Sequence, residues 1–137
     1  MTRIASLAMA LTGSIVFGVG VFSASIAQAA CSWNVSGRWA IQQSNGAGVN
    51  FSLSQSGSTV RGTAFTPGIG TGNVSGSVKG RSLGFKIYWP KYSIGAYTGM
   101  INNGGFITGQ THDTTLESRV FNTPQTAWHS TSPMKCL

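Results

Sequence analysis

Val49-Asn50-Phe51-Ser52-Leu53-Ser54, then Ser56-Gly57-Ser58, then Thr59 to Phe65, is the stretch that decides the fold class. Apolar Val49, Phe51 and Leu53 alternate with polar Asn50, Ser52 and Ser54. Only an extended strand puts residues two apart on one face. Ser56-Gly57-Ser58 turns the chain and the alternation resumes, so the stretch reads as a hairpin. The same pattern extends both ways. Upstream, Gly37 to Gln42 alternates before an Asn45-Gly46 turn. Downstream, Val74 and Val78 flank a glycine-containing strand, Lys79-Gly80-Arg81 turns, and Leu83 to Trp89 alternates until Pro90 ends it. Ala96 to Ile101 leads into Asn102-Asn103-Gly104-Gly105, residues that tolerate positive φ, and Phe106 to Thr111 returns. A last strand lies around Ala127 to Ser130. Pro67 to Gly72 reads as a loop from its glycine and proline content, and Thr114 to Pro124 as a long one for lack of pattern.

About eight short strands with turn signals between neighbours, and no segment of helical period, make an all-β domain. Consecutive hairpins favour a single antiparallel up-and-down β-barrel, which leaves no strand edge exposed.

The first residues are set apart from that domain. Arg3 precedes an apolar run from Ile4 to Ile26, and Ala27-Gln28-Ala29 is a small-x-small site. A charged start, an apolar middle and a small-residue end describe a secretory signal peptide, residues 1–29. An uncleaved anchor and a lipid-modified Cys31 are the other readings. The Ala-x-Ala site argues against the first, and Gln28 in place of a lipobox leucine argues against the second. Cleavage would leave Ala30 to Leu137, about 108 residues, enough for one domain. The expected location is secreted, extracellular or periplasmic, with no stable membrane insertion after cleavage.

The chain has nine Lys and Arg against two acids, a formal net charge of +7. Acidic glycans or an anionic cell surface are possible partners for such a balance, and solubility through net charge is the plainer reading. The basic residues are scattered singly, no RNP-type motif occurs, and export argues against nucleic acid. Cys31 and Cys136 stand near the two ends of the exported part. A bond between them would close almost the whole domain, and in the chain-entropy model such a loop contributes about 4–5 kcal/mol. It requires the termini to meet, as they do in an even-stranded barrel. Two distant cysteines and two histidines form no metal-ligand spacing, and no cofactor is implied.

Catalytic patterns fare poorly. Gly80-Arg81-Ser82-Leu83-Gly84 spells a nucleophile elbow, but that motif needs a strand-to-helix turn, and here it lies between two strands. His112-Asp113 are neighbours on a strand and point to opposite faces, so a proton-relay pair is not expected there. Asp113 and Glu117, the only acids, both fall towards one loop. The chain reads as a binding protein and not an enzyme. Trp33, Trp39, Trp89 and Trp128 are more tryptophans than one barrel end needs, and an indole-lined cup suits a flat or sugar-like ligand as well as a filled core does.

Several of these strands, taken in order, resemble the avidin–streptavidin family of calycin-type, lipocalin-like barrels. Gly37-Arg38-Trp39 with Ser44-Asn45 is similar to its opening strand, Val60-Arg61-Gly62-Thr63 to the lead into its third, and Leu83 to Trp89 to its Gly-aromatic-x-Val-x-Trp strand. Tyr97-Thr98-Gly99 and Ala127-Trp128-His129-Ser130-Thr131 continue the likeness. The resemblance implies ligand contacts at Trp89, Trp128, Ser93, Ser44 and Thr66, and a homo-oligomer in which Trp128 reaches a neighbouring subunit. It departs at Ile41 for an expected Asn, Ala64 for Tyr, Thr111 or His112 for a third Trp, and Met134-Lys135-Cys136 where the last strand's Asp would stand. Those losses predict an avidin-like barrel that does not hold biotin tightly.

The expectation is therefore a secreted ligand-binding barrel that takes a small molecule or glycan at a mouth lined by Trp39, Trp89 and Trp128. The rival reading is an exported protein-interaction or inhibitor protein with a filled barrel, acting on a protein partner through the Pro67–Gly72 and Thr114–Pro124 loops.

Overall fold

The computed structural model describes residues 31–114 and 125–137, apart from the side chain of residue 92. The signal-peptide reading of residues 1–29 and most of the expected loop at 114–124 lie outside the described residues. Cys31–Leu137 forms one compact unit.

Its eight main strands are β2 (Gly37–Gln43), β3 (Gly48–Ser56), β4 (Thr59–Thr66), β5 (Gly70–Lys79), β6 (Ser82–Tyr88), β7 (Ile94–Ile101), β8 (Ile107–Asp113) and β9 (Thr126–Ser130). Each pairs antiparallel with the next, and β9 returns to β2 through Ile41 opposite Ser130 and Gln43 opposite Trp128, closing the barrel. The up-and-down barrel expected from the alternation is thus the fold.

Every second residue points inwards. Val49, Phe51 and Leu53 of β3, Leu83, Phe85 and Ile87 of β6, and Ile101 and Ile107 across the β7–β8 turn are all buried. The polar partners Asn50, Ser52 and Ser54 are exposed. The turns form where glycine and asparagine allowed them. Asn102 Oδ1 accepts hydrogen bonds from the Gly104 and Phe106 amides at 2.9 and 3.0 Å, while Gly105 supplies φ of +90°. Gly80 turns β5 into β6 at φ +59°, so the elbow-like spelling is a hairpin.

One stretch differs from its expected form. Gly70, Thr71 and Gly72 belong to β5, with Gly70 opposite Thr66 and Thr71 opposite Phe65, so the loop shrinks to 67–69. Glycine content suggested a loop, but glycine also suits a strand where large side chains press against it. A Cβ on Gly72 would lie 3.0 Å from Trp89 Cε3, and the missing side chain makes room for the indole.

One end of the barrel is closed by the termini. Two short strands, β1 (Trp33–Asn34) and β10 (Lys135–Cys136), pair with each other, and Cys31 bonds to Cys136 across a Cα separation of 5.3 Å. Gln55 of β3 fastens this clasp. Its Oε1 accepts from the Val35 amide at 2.8 Å and its Nε2 donates to the Trp33 carbonyl at 3.2 Å. Trp33, Val35 and Met134 fill the space beneath. All strand ends away from the clasp meet at the other end, the mouth.

Candidate functional site

The mouth holds an open pocket of about 270 Å³. Its walls come from strand ends far apart in sequence: Gln43 ends β2, Thr66 ends β4, Trp89 follows β6, Tyr97 sits in β7, and Thr111 and Asp113 lie near the end of β8. The barrel's alternation puts Gln43, Thr66, Tyr97 and Thr111 on the inward face, where a polar side chain is worth keeping only with a partner.

Each has one. Gln43 Nε2 donates to Tyr97 Oη at 3.0 Å. Thr66 Oγ1 donates to the Gly48 carbonyl at 3.0 Å, and Thr111 Oγ1 to the Ala96 carbonyl at 2.8 Å. At the rim, Ser93 Oγ donates to Asp113 Oδ2 at 3.3 Å. Burial pushes the Tyr97 hydroxyl above its ordinary value of 10.0, and side-chain hydrogen bonds with Thr111, Gln43 and Trp89 oppose the rise without cancelling it. Tyr97 is therefore a neutral phenol, able to donate as well as accept, through the physiological range.

Trp89 leans over this network from the connection between β6 and β7. Gly95 makes the placement feasible, because a Cβ there would lie 2.9 Å from Tyr97 Cε2 and 3.6 Å from Trp89 Nε1. Below the pocket runs a ladder of rings. Tyr97 stacks on Phe85 at 4.9 Å, Phe85 meets Phe51 edge-on at 5.4 Å, and Phe51 lies 4.7 Å from Trp39. The ladder carries the apolar core from the mouth down to the clasp.

Of the residues expected to bind ligand, Thr66, Trp89 and Ser93 line the mouth. Trp39 does not. It lies at the bottom of the ring ladder, its Nε1 donating to the Val35 carbonyl at 2.9 Å, because the Gly-x-Trp strand enters the barrel from the clasp end. Trp128 packs beneath the mouth, 6.2 Å from both Phe85 and Tyr97, and is 2% exposed. It occupies the room left by two glycines. A Cβ on Gly99 would come within 2.9 Å of Trp128 Cη2, and one on Gly109 within 2.8 Å of Cε2. Within the single chain Trp128 is thus a buried residue of its own barrel. Its Nε1 has no hydrogen-bond partner among the described residues. Ser44 is exposed and lies instead beside an outer depression of about 480 Å³, bounded also by Gln43, Thr108, Gln110, Trp128 and His129.

Gln43, Tyr97, Thr111 and Asp113 belong to the mouth and were not singled out in advance as its residues. An inward Gln at a strand end was visible in the alternation of β2, but which strand ends share a rim depends on barrel closure. Of the pair Thr111 and His112, Thr111 is the one that turns inward. Ile41 and Ala64, standing where the resemblance expects Asn and Tyr, are buried in the barrel interior with about 1% exposure each. Among the described residues no three of His, Cys, Asp and Glu come together.

No family model, no curated protein and no solved structure matches this chain.

Proposed function

We propose that this chain is an exported, non-catalytic barrel that binds a small, largely uncharged ligand in its mouth. The observation that carries the reading is the pocket between Trp89 and Tyr97, open to solvent yet floored by a buried aromatic ladder. An inward Gln, two Thr and a Tyr offer donors and acceptors beside two flat aromatic faces, the mix of apolar wall and few oriented polar groups that suits a ring-bearing ligand. The volume is near the low end of the ligand-pocket range, about 300–1,000 Å³, which favours one or two rings over a longer molecule. The Cys31–Cys136 bond supports export, since such bonds persist in oxidising compartments. The resemblance to avidins supports the same use of the barrel, with apolar Ile41 and Ala64 arguing for a ligand other than biotin.

The test is a tryptophan-fluorescence titration of the disulfide-intact protein with biotin and a panel of mono- and disaccharides, repeated on Trp89→Phe and Trp39→Phe. A saturable response that Trp89→Phe weakens and Trp39→Phe leaves in place supports the mouth site. A response to no member of the panel up to millimolar concentration, or one insensitive to Trp89, overturns it.

A further inference from the structure

The outward face of β4, β5 and β6 has an organisation that neither the core nor the mouth explains. Strand register sets Arg61 opposite Ser75 and Ser75 opposite Lys86, so the three form one row across the wall. The next row towards the mouth is Thr63, Asn73 and Tyr88, and beyond it Phe65 stands opposite Thr71. Tyr88 and Phe65 are 45% and 46% exposed, two aromatic rings kept half in water on a wall otherwise made of Ser, Thr, Asn and cations. Neighbouring strands lie about 4.8 Å apart, so the Arg61 and Lys86 backbones are about 10 Å apart with the serine between them.

No acidic residue belongs to β4, β5 or β6 themselves. The chain's only acidic side chains, Asp113 and Glu117, both fall outside β2–β6. Of the barrel strands, β2, β4, β5 and β6 carry Arg38, Arg61, Lys79 and Lys86, whereas β3, β7, β8 and β9 carry no Lys or Arg. Exposed aromatic rings stack on the apolar face of a sugar, hydroxyl and amide side chains meet its hydroxyls, and isolated cations meet a carboxylate or sulfate.

We infer that the outer wall of β4–β6 is a binding face for an acidic polysaccharide, with sugar rings against Tyr88 and Phe65 and anionic groups on Arg61 and Lys86. None of these residues lines the mouth pocket, so the inference stands apart from the mouth reading.

The experiment is calorimetric titration of the disulfide-intact protein with polygalacturonate, dextran sulfate, neutral dextran and single-stranded DNA at about 150 mM salt, where long-range attraction is screened. Binding is expected to polygalacturonate, dextran sulfate or both, the pair telling carboxylate from sulfate recognition. Neutral dextran and DNA should bind at least about tenfold more weakly. Arg61→Gln with Lys86→Gln should lose about tenfold or more, and Tyr88→Ala, which changes no charge, several-fold. Lys91→Asn with Lys135→Gln removes the same charge elsewhere and should change affinity less than about twofold. The inference is overturned if neither acidic polymer binds, if the control pair loses as much as Arg61 and Lys86, or if DNA binds as tightly as the polysaccharides.

Discussion

The two ends of this barrel are built from the same alternating strands and put them to opposite uses. At the clasp, inward positions are Leu53, Val60, Val78, Leu83, Ile101 and Ile107, and the termini cross over them behind a disulfide. At the mouth, inward positions include Gln43, Thr66 and Thr111, each hydrogen-bonded, with an open pocket above them. The chain crosslink sits at one end, and polar groups able to meet a ligand at the other. A barrel whose strands are held at one rim can leave the other unfilled without coming apart.

That contrast is most sharply broken at the clasp. Replacing Cys31 and Cys136 by alanine should cost about 4–5 kcal/mol in the chain-entropy model, read as a large drop in the unfolding midpoint. Ligand response at the mouth should persist in whatever fraction stays folded. Trp39→Ala, at the bottom of the ring ladder, should cost about 3–5 kcal/mol in denaturant unfolding, again without changing the affinity of the remaining folded protein. Loss of mouth binding in either variant at full folding would mean the two ends are coupled after all.

Smaller effects sharpen the comparison from the mouth side. Tyr97→Phe removes the Gln43 partner and should cost about 1 kcal/mol. It should also change the alkaline limb of stability. The folded pKa of Tyr97 is raised above its unfolded 10.0, so the neutral form is favoured by folding. Its contribution is complete below about pH 10 and is lost as pH rises from there through the higher folded value. Unfolding midpoints measured across that range should fall less steeply in Tyr97→Phe than in the parent. Trp89→Phe should change stability by no more than about 0.5 kcal/mol, since the indole is half-buried at a rim, while weakening the ligand response.

The strand pattern made most of this fold legible in advance. Alternation in β3 and β6, the Asn102–Gly105 turn and two cysteines near the ends led to an eight-stranded closed barrel with its termini bonded. The start of β5 was less legible, because Gly70 and Gly72 resemble loop residues until Trp89, for which Gly72 leaves room, is in place. The binding residues were half legible. Thr66, Trp89 and Ser93 were expected at the mouth, whereas Trp39 was expected there and lies at the clasp. An inward tryptophan announces itself by type and period, but its height in the barrel depends on the direction in which its strand enters.

Local periodicity and turn chemistry determined, from the sequence by itself, that the chain makes about eight barrel strands and which face of each is buried. Those are properties of residues two apart and of four-residue turns, where the information is short-range. Tertiary structure alone decided which strand ends meet at the mouth, that Gln43 faces Tyr97 from 54 positions away, and that Arg61 and Lys86 share a row through Ser75. Register is set by the packing of the whole interior at once, and no local stretch of sequence encodes it.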